Sequence, residues 1–232
     1  MLELPTDFAE GCILLIDKPK TWTSFDVVNK VRYEVKTKKV GHAGTLDPLA
    51  TGLLIVCTGK MTKQINTFQA DDKEYICTMV LGATTASYDL ETEIENQKDY
   101  SLVTPELIST ISRKFLGLIQ QTAPQHSAKK VNGVRAYELA RKGEYADIKS
   151  VEVEIKDLEI LTIDLPTVTF RVSCSKGTYI RSLVNDIGQE LGCGAYMSDL
   201  VRTRSGSFLL KDAIQLSDFV NTMKERRSNQ NL

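Results

Sequence analysis

Histidine, tryptophan and surplus positive charge are all scarce in this chain. Its 232 residues hold two histidines, His42 and His126, and one tryptophan, Trp22, and 29 basic residues stand against 30 acidic ones. With so few imidazoles, and no cysteine or carboxylate set at ligand spacing, a metal centre is not expected. The five cysteines, Cys12, Cys57, Cys77, Cys174 and Cys193, form no Cys-x-x-Cys pair and lie scattered through apolar segments, as reduced core thiols do. Long hydrophobic runs are also lacking. The longest, Ile13 to Ile16 and Gly52 to Cys57, fall far short of the roughly 20 residues that cross a bilayer. The start is acidic (Glu3, Asp7, Glu10), without the basic segment and apolar core of a secretory signal. A cytoplasmic protein with no membrane association is expected.

A net charge of −1 argues against a nucleic-acid partner only if charge is evenly spread, because phosphate binding draws on local lysine and arginine. It is not. Lys36, Lys38 and Lys39 form one basic cluster, Lys129, Lys130, Arg135, Arg141 and Lys142 a second, and Arg202 and Arg204 a third, while acids gather at 89–99 and 152–159. Each run taken alone reads more readily as a solvated face, and together they leave RNA binding open.

With 42% hydrophobic residues the chain can build one substantial core, and one domain is the first expectation. Residues 13 to 16 and 52 to 57 read as buried strands. Between them Ser24 precedes Phe25, Val28, Val31 and Val35, which predicts an amphipathic helix capped by Ser24. Residues 74 to 81 have the β pattern, with Tyr75, Cys77, Met79 and Leu81 on one face. Thr104-Pro105 starts a helix that carries Leu107, Ile108, Ile111 and Phe115 and stops at Gly117. Residues 120–143 are polar and basic, are broken by Pro124 and Asn132-Gly133, and read as an insertion outside the core. Two strands, Val151 to Ile163 and Thr167 to Cys174, flank a turn at Asp164-Leu165-Pro166. Thr178 then caps a helix carrying Ile180, Leu183, Val184, Ile187 and Leu191, ended by Gly192. A strand through Leu200 and Val201 and a short helix near Ser217 complete the chain, with a polar tail over 226–232. Strands and helices mix without βαβ alternation, so the class is α+β.

The most unusual segment is Gly41-His42-Ala43-Gly44-Thr45-Leu46-Asp47-Pro48-Leu49-Ala50-Thr51-Gly52-Leu53-Leu54. Its glycines let backbone approach a ligand closely. Asp47 admits two readings. As an N-cap with Pro48 at the first helical position it is structural; with the proline fixing the chain, its carboxylate projects into a cleft as nucleophile or base. Arg181, in the first turn of the helix after Thr178, opposes the helix dipole, so either an anion compensates it or it reaches solvent or a backbone phosphate. Tyr75 and Tyr179 read as core residues, and His42 as a satisfied loop residue.

Residues 41–54 resemble the catalytic motif of the bacterial tRNA pseudouridine-55 synthases, the TruB family. Asp17-Lys18-Pro19 with Trp22-Thr23-Ser24, Lys73-Glu74-Tyr75, Ser127 to Gly133, and Lys176 to Leu183 resemble further motifs of that family in the same order. The resemblance implies a central mixed, mostly antiparallel sheet with flanking helices and a catalytic cleft. It implies isomerisation of uridine 55 in the tRNA T-loop to pseudouridine, without a cofactor, in a catalytic domain over 1–225. Asp47 is then the nucleophile, Arg181 its ion-pair partner, and Tyr75 the ring against the flipped uracil. His42 fills the space the base leaves, Tyr179 and Leu200 belong to the pocket, and Lys18 is a structural or phosphate-side partner. Lys129 and Lys130 on a thumb-like insertion, with Arg202, bind RNA. The expected partner is the tRNA T-arm, engaged by a monomer that requires no protein partner. Too few residues follow Arg204 for the roughly 50 of a further domain, so no C-terminal PUA domain is expected. Where the family has glycine, this chain has Lys20-Thr21-Trp22, which implies a different path for that loop. A non-catalytic tRNA-binding or tRNA-folding protein on the same scaffold is the alternative; a hydrolase has no nucleophile elbow to support it.

Overall fold

The computed structural model describes Pro5 and residues 7–230. In chain order the elements begin β1 (Ile13–Lys18), α1 (Ser24–Val35), β2 (Val40–Ala43), β3 (Thr51–Thr58), α2 (Ile65–Ala70) and β4 (Lys73–Leu81). The middle of the chain holds β5 (Thr84–Thr85), β6 (Ile94–Glu95), α3 (Pro105–Arg113), β7 (Gly117–Gln121), β8 (Lys130–Val131), β9 (Val134–Arg135), α4 (Ala136–Ala140), β10 (Val151–Asp164), β11 (Thr167–Cys174) and α5 (Ile180–Glu190). It closes with β12 (Ala195–Ser205), β13 (Phe208–Leu209), β14 (Ile214–Gln215) and α6 (Leu216–Gln230).

These elements form two compact units. One joins the residues up to Glu74 with those from Val201 onward; the other is Tyr75–Leu200. Both contain sheet and helix in the α+β manner, with no βαβ alternation.

In the first unit β3 is central, and every residue from Gly52 to Thr58 is buried. It pairs antiparallel with β1 on one side; on the other it pairs antiparallel with β2 and, at its first two residues, parallel with β12. β14 extends the sheet parallel to β1. α1 and α6 cover this sheet through Val27, Val28, Val31, Leu216, Phe219 and Met223, packed with Leu14, Ile16, Leu54 and Val56. Two details of α1 differ from the sequence pattern. Its N-cap is Thr23, which forms a reciprocal capping box with Asp26, and Phe25 is 62% exposed while Val27 takes the buried position. α6 is longer than expected and runs through most of the segment read as a tail, because Arg227 reaches Glu34 at 2.6 Å; Asn231 and Leu232 lie outside the described residues.

In the second unit the sheet order is β12-β4-β11-β10-β7, with β10 antiparallel to both β11 and β7. Along β4, Tyr75, Cys77, Met79 and Leu81 are buried and alternate with half-buried residues, as the pattern required. α3 starts at Thr104 and Pro105 as expected but ends at Arg113. Gln120 and Gln121, read as part of the insertion, belong to β7. The rest of the insertion forms the β8–β9 hairpin and α4 around a small core of Ala123, Ala136, Ala146 and Ile148.

Candidate active site

Four of the expected site residues lie in the first unit around one loop. Gly44 to Ala50 leave β2 and return into β3, and the amide of Ala50 donates to the Asp47 carbonyl at 3.1 Å, closing a turn at Asp47-Pro48. No helix follows Asp47, so the reading of it as an N-cap is overturned. The half-buried aspartate stands on a turn whose neighbours are clamped on both sides. Before it, the buried Ser24 hydroxyl accepts from the Leu46 amide at 2.9 Å and donates to the Leu46 carbonyl at 3.2 Å. After it, the Pro48 carbonyl accepts from the Thr21 amide at 2.8 Å and from Lys18 Nζ at 3.2 Å.

Lys18 is fully buried, and its ammonium also donates to the carbonyls of Trp22 at 2.6 Å and Pro19 at 3.0 Å. Burial pulls its pKa down to about 8, against the opposing pull of the Asp47 charge. The ammonium thus ties the 18–22 loop to the Asp47 turn. Thr21 in that loop has φ +72°, the left-handed conformation that glycine adopts without strain. The threonine therefore occupies a glycine-like backbone position.

Arg202 is 1% exposed, which removes it from the surface cluster in which its sequence neighbours placed it. Its guanidinium donates to the Leu53 carbonyl at 2.7 Å and the Gly44 carbonyl at 3.1 Å, spanning both ends of the Asp47 loop. Gly52 pairs with Lys18 on one side and Arg202 on the other, and a Cβ there would come within 2.5 Å of the Arg202 carbonyl oxygen. Only glycine permits that approach. His42, on β2, is half-buried; burial, then the Arg202 charge, holds its imidazole below its ordinary pKa against the opposing pull of the Gly44 backbone, and among the described residues Nδ1 meets no hydrogen-bond partner.

The other expected residues lie in the second unit. Tyr75 is 8% exposed on β4 and Leu200 is buried on β12. Tyr179 is the N-cap of α5, and Thr178, expected in that role, instead donates to the Ser175 carbonyl. The start of α5 is held by buried Gln121, whose side-chain amide accepts from Tyr179 N at 2.8 Å and donates to Tyr179 O at 3.1 Å. Arg181 is 2% exposed, its guanidinium donating to the carbonyls of Ser87 at 3.0 Å and His126 at 3.2 Å. The anion that its place in the first helical turn calls for includes Asp89, equally buried, with Oδ2 at 3.5 Å from Arg181 Nε. Sequence reasoning did not find Asp89, because in an acidic run nothing marks the one carboxylate that turns inward. Lys129 and Lys130 are exposed beside Arg135, Arg141 and Lys142, and the guanidinium carbons of Arg135 and Arg141 lie 5.8 and 5.2 Å from the Tyr137 ring centre.

The chain from 32 to 180 matches the model of the TruB family pseudouridylate synthase N-terminal domain, and 181–232 matches the tRNA pseudouridylate synthase B C-terminal domain. The chain belongs to the TruB family. A TruB-family relative from Parabacteroides distasonis, named tRNA pseudouridine synthase B, is 55% identical over 210 residues covering 88% of this chain and 89% of its own. One of the same name from Phocaeicola vulgatus is 51% identical, covering 92% and 93%. Among solved structures, a crystal structure of a Cbf5-Nop10-Gar1 complex superposes with a TM-score of 0.73 at 32% identity over 94% of this chain, which spans 56% of that one. Among the described residues no group of histidine, cysteine or carboxylate side chains could hold a metal ion, and no helix is long and apolar enough to cross a membrane.

Proposed function

We propose that this TruB-family chain isomerises uridine 55 in the T-loop of tRNA to pseudouridine. The observation that carries this reading is the Asp47 turn. An aspartate with no helix to cap is held from below by a buried serine, a buried lysine and a buried arginine, which together bond the backbone at Leu46, Pro48, Gly44 and Leu53. Such rigid support suits a carboxylate that must meet a reacting carbon at fixed distance. Breaking the glycosidic bond, turning the uracil and joining its carbon 5 to the ribose needs no electron or group donor. It does need a carboxylate, supplied here by Asp47, and a base withdrawn from its stack, against which Tyr75 provides the ring.

His42, held neutral, takes the space vacated by the base, and Arg181 supplies fixed positive charge. Lys18 and Arg202 act as positioning residues through the backbone. Lys129, Lys130 and their neighbours on the insertion engage RNA phosphates. The protein works as a cytoplasmic monomer. Incubation with an unmodified tRNA transcript, followed by mapping of pseudouridine at single-nucleotide resolution, is the test. Conversion at position 55 is expected; an unmodified transcript, or one bound but left unconverted, would favour the RNA-binding alternative.

A further inference from the structure

The outward face of α1 is aromatic and basic at once, although no part of the mechanism uses it. Trp22 is 36% exposed, Phe25 62% and Tyr33 72%; among described residues the one other aromatic side chain with comparable exposure is Tyr145. At about 100° per residue Phe25, Asn29, Arg32, Tyr33 and Lys36 share one stripe, about 16 Å long at 1.5 Å rise per residue. The opposite face, Val27, Val28, Val31 and Val35, is already buried in the core, so no apolar packing need accounts for the exposed rings.

Charge along the segment that carries this face is one-sided. Residues 20–39 carry six cations (Lys20, Lys30, Arg32, Lys36, Lys38, Lys39) and two carboxylates, in a chain whose net charge is −1. Both carboxylates are engaged: Asp26 accepts from the Thr23 amide and hydroxyl, and buried Glu34 pairs with Lys30 at 2.9 Å and Arg227 at 2.6 Å. Lys30 Nζ lies 5.6 Å from the Tyr33 ring centre. The stripe starts beside the Asp47 turn, since Ser24 grips Leu46 and the Trp22 carbonyl is held by Lys18.

We infer that this face is a stacking platform for unpaired nucleotides of the substrate RNA beyond the target uridine. The inference rests on the proposed function for the identity of that RNA. Rings spaced among lysines are the chemistry that binds single-stranded nucleic acid, each ring taking a base and each ammonium a phosphate. An apolar protein partner would not call for the surplus of positive charge.

Trp22, the only tryptophan, reports directly on the platform. Titration with a short unstructured RNA oligonucleotide should quench its fluorescence saturably. The double variant Phe25→Ala/Tyr33→Ala, truncating exposed rings, should fold normally by circular dichroism and bind the oligonucleotide about thirtyfold more weakly or worse, from about 1 kcal/mol or more for each of two stacked bases. With whole tRNA the loss should fall on KM rather than kcat. Binding less than about fivefold weaker than wild type, short of one stacked base, overturns the inference and leaves the face to a protein partner. The oligonucleotide measurement does not depend on catalysis: wild type that stacks the RNA but makes no pseudouridine sinks the proposed function alone, and wild type that makes pseudouridine while the variant binds unchanged sinks the platform alone.

Discussion

Asp47 shows how far one side chain can be read before its surroundings are known. Asp-Pro has two physical meanings, a helix start or a fixed turn, and only the Ala50-to-Asp47 hydrogen bond selects the second. If the carboxylate does chemistry while phosphate contacts supply most affinity, Asp47→Asn should abolish pseudouridine formation and change RNA affinity by no more than several fold. Turnover by the asparagine variant, with deamidation excluded by mass spectrometry, would remove that role. Thr21 offers a stability test in the supporting loop. A β-branched residue at φ +72° costs about 1 to 3 kcal/mol, and glycine there gives back about 1 kcal/mol in unfolded-chain entropy. Thr21→Gly should therefore raise Tm by a few degrees, and a lower Tm would show that the threonine side chain is stabilising. The two histidines make a pH prediction legible by NMR. Burial and then the Arg202 charge lower the His42 pKa, and burial and then the Arg181 charge lower that of His126, from 6.5. Below 6.5 the unfolded chain then binds more protons than the folded one, so stability should fall as pH drops from 6.5 through the folded-state midpoints. Imidazole midpoints above 6.5 in the folded protein would contradict this.

The starts of α1 and α5 each lie one residue from the position that the sequence pattern predicts, for one shared reason. Ser24 and Thr178 both have the side chain of a cap, yet each hydroxyl is taken by another partner, Leu46 for Ser24 and Ser175 for Thr178. Thr23 caps α1 in place of Ser24, whereas α5 begins at Tyr179 without a side-chain cap and depends on Gln121 from β7. Periodicity resolved the buried faces of β4 and α5 well, because alternation and 3.6-residue spacing are local properties. It misplaced Phe25, since a helix wheel orders residues around an axis but does not say which of two apolar neighbours meets the core. The insertion has two-residue strands and a small apolar cluster of four buried residues, and segments with little burial open most readily. Hydrogen exchange should find Lys129–Arg135 weakly protected in the free protein and protected with tRNA bound. Strong, equal protection in both states would exclude a segment that orders on RNA.

Phosphate binding draws on where cations lie rather than on their sum. If the exposed cluster Lys129, Lys130, Arg135, Arg141 and Lys142 engages phosphates, log affinity should fall with log salt with a slope between about −3 and −5 despite the net charge of −1. A slope near zero in a filter-binding or anisotropy series would show that these side chains do not meet the backbone. Arg202 is left out of this count, since its charge is spent inside the protein. The amino-acid order alone determined the α+β class, the family through the motif around Asp47, and the strands whose alternation is local. Only the tertiary structure decided that Asp47 sits on a turn, that Lys18 and Arg202 flank Gly52 beneath it, that Asp89 faces Arg181, and that Phe25 faces outward. Each of these depends on which segments meet across a sheet or a loop closure. Residues 34 and 150 positions apart, as Lys18 and Arg202 are from Gly52, leave no trace of their pairing in local pattern.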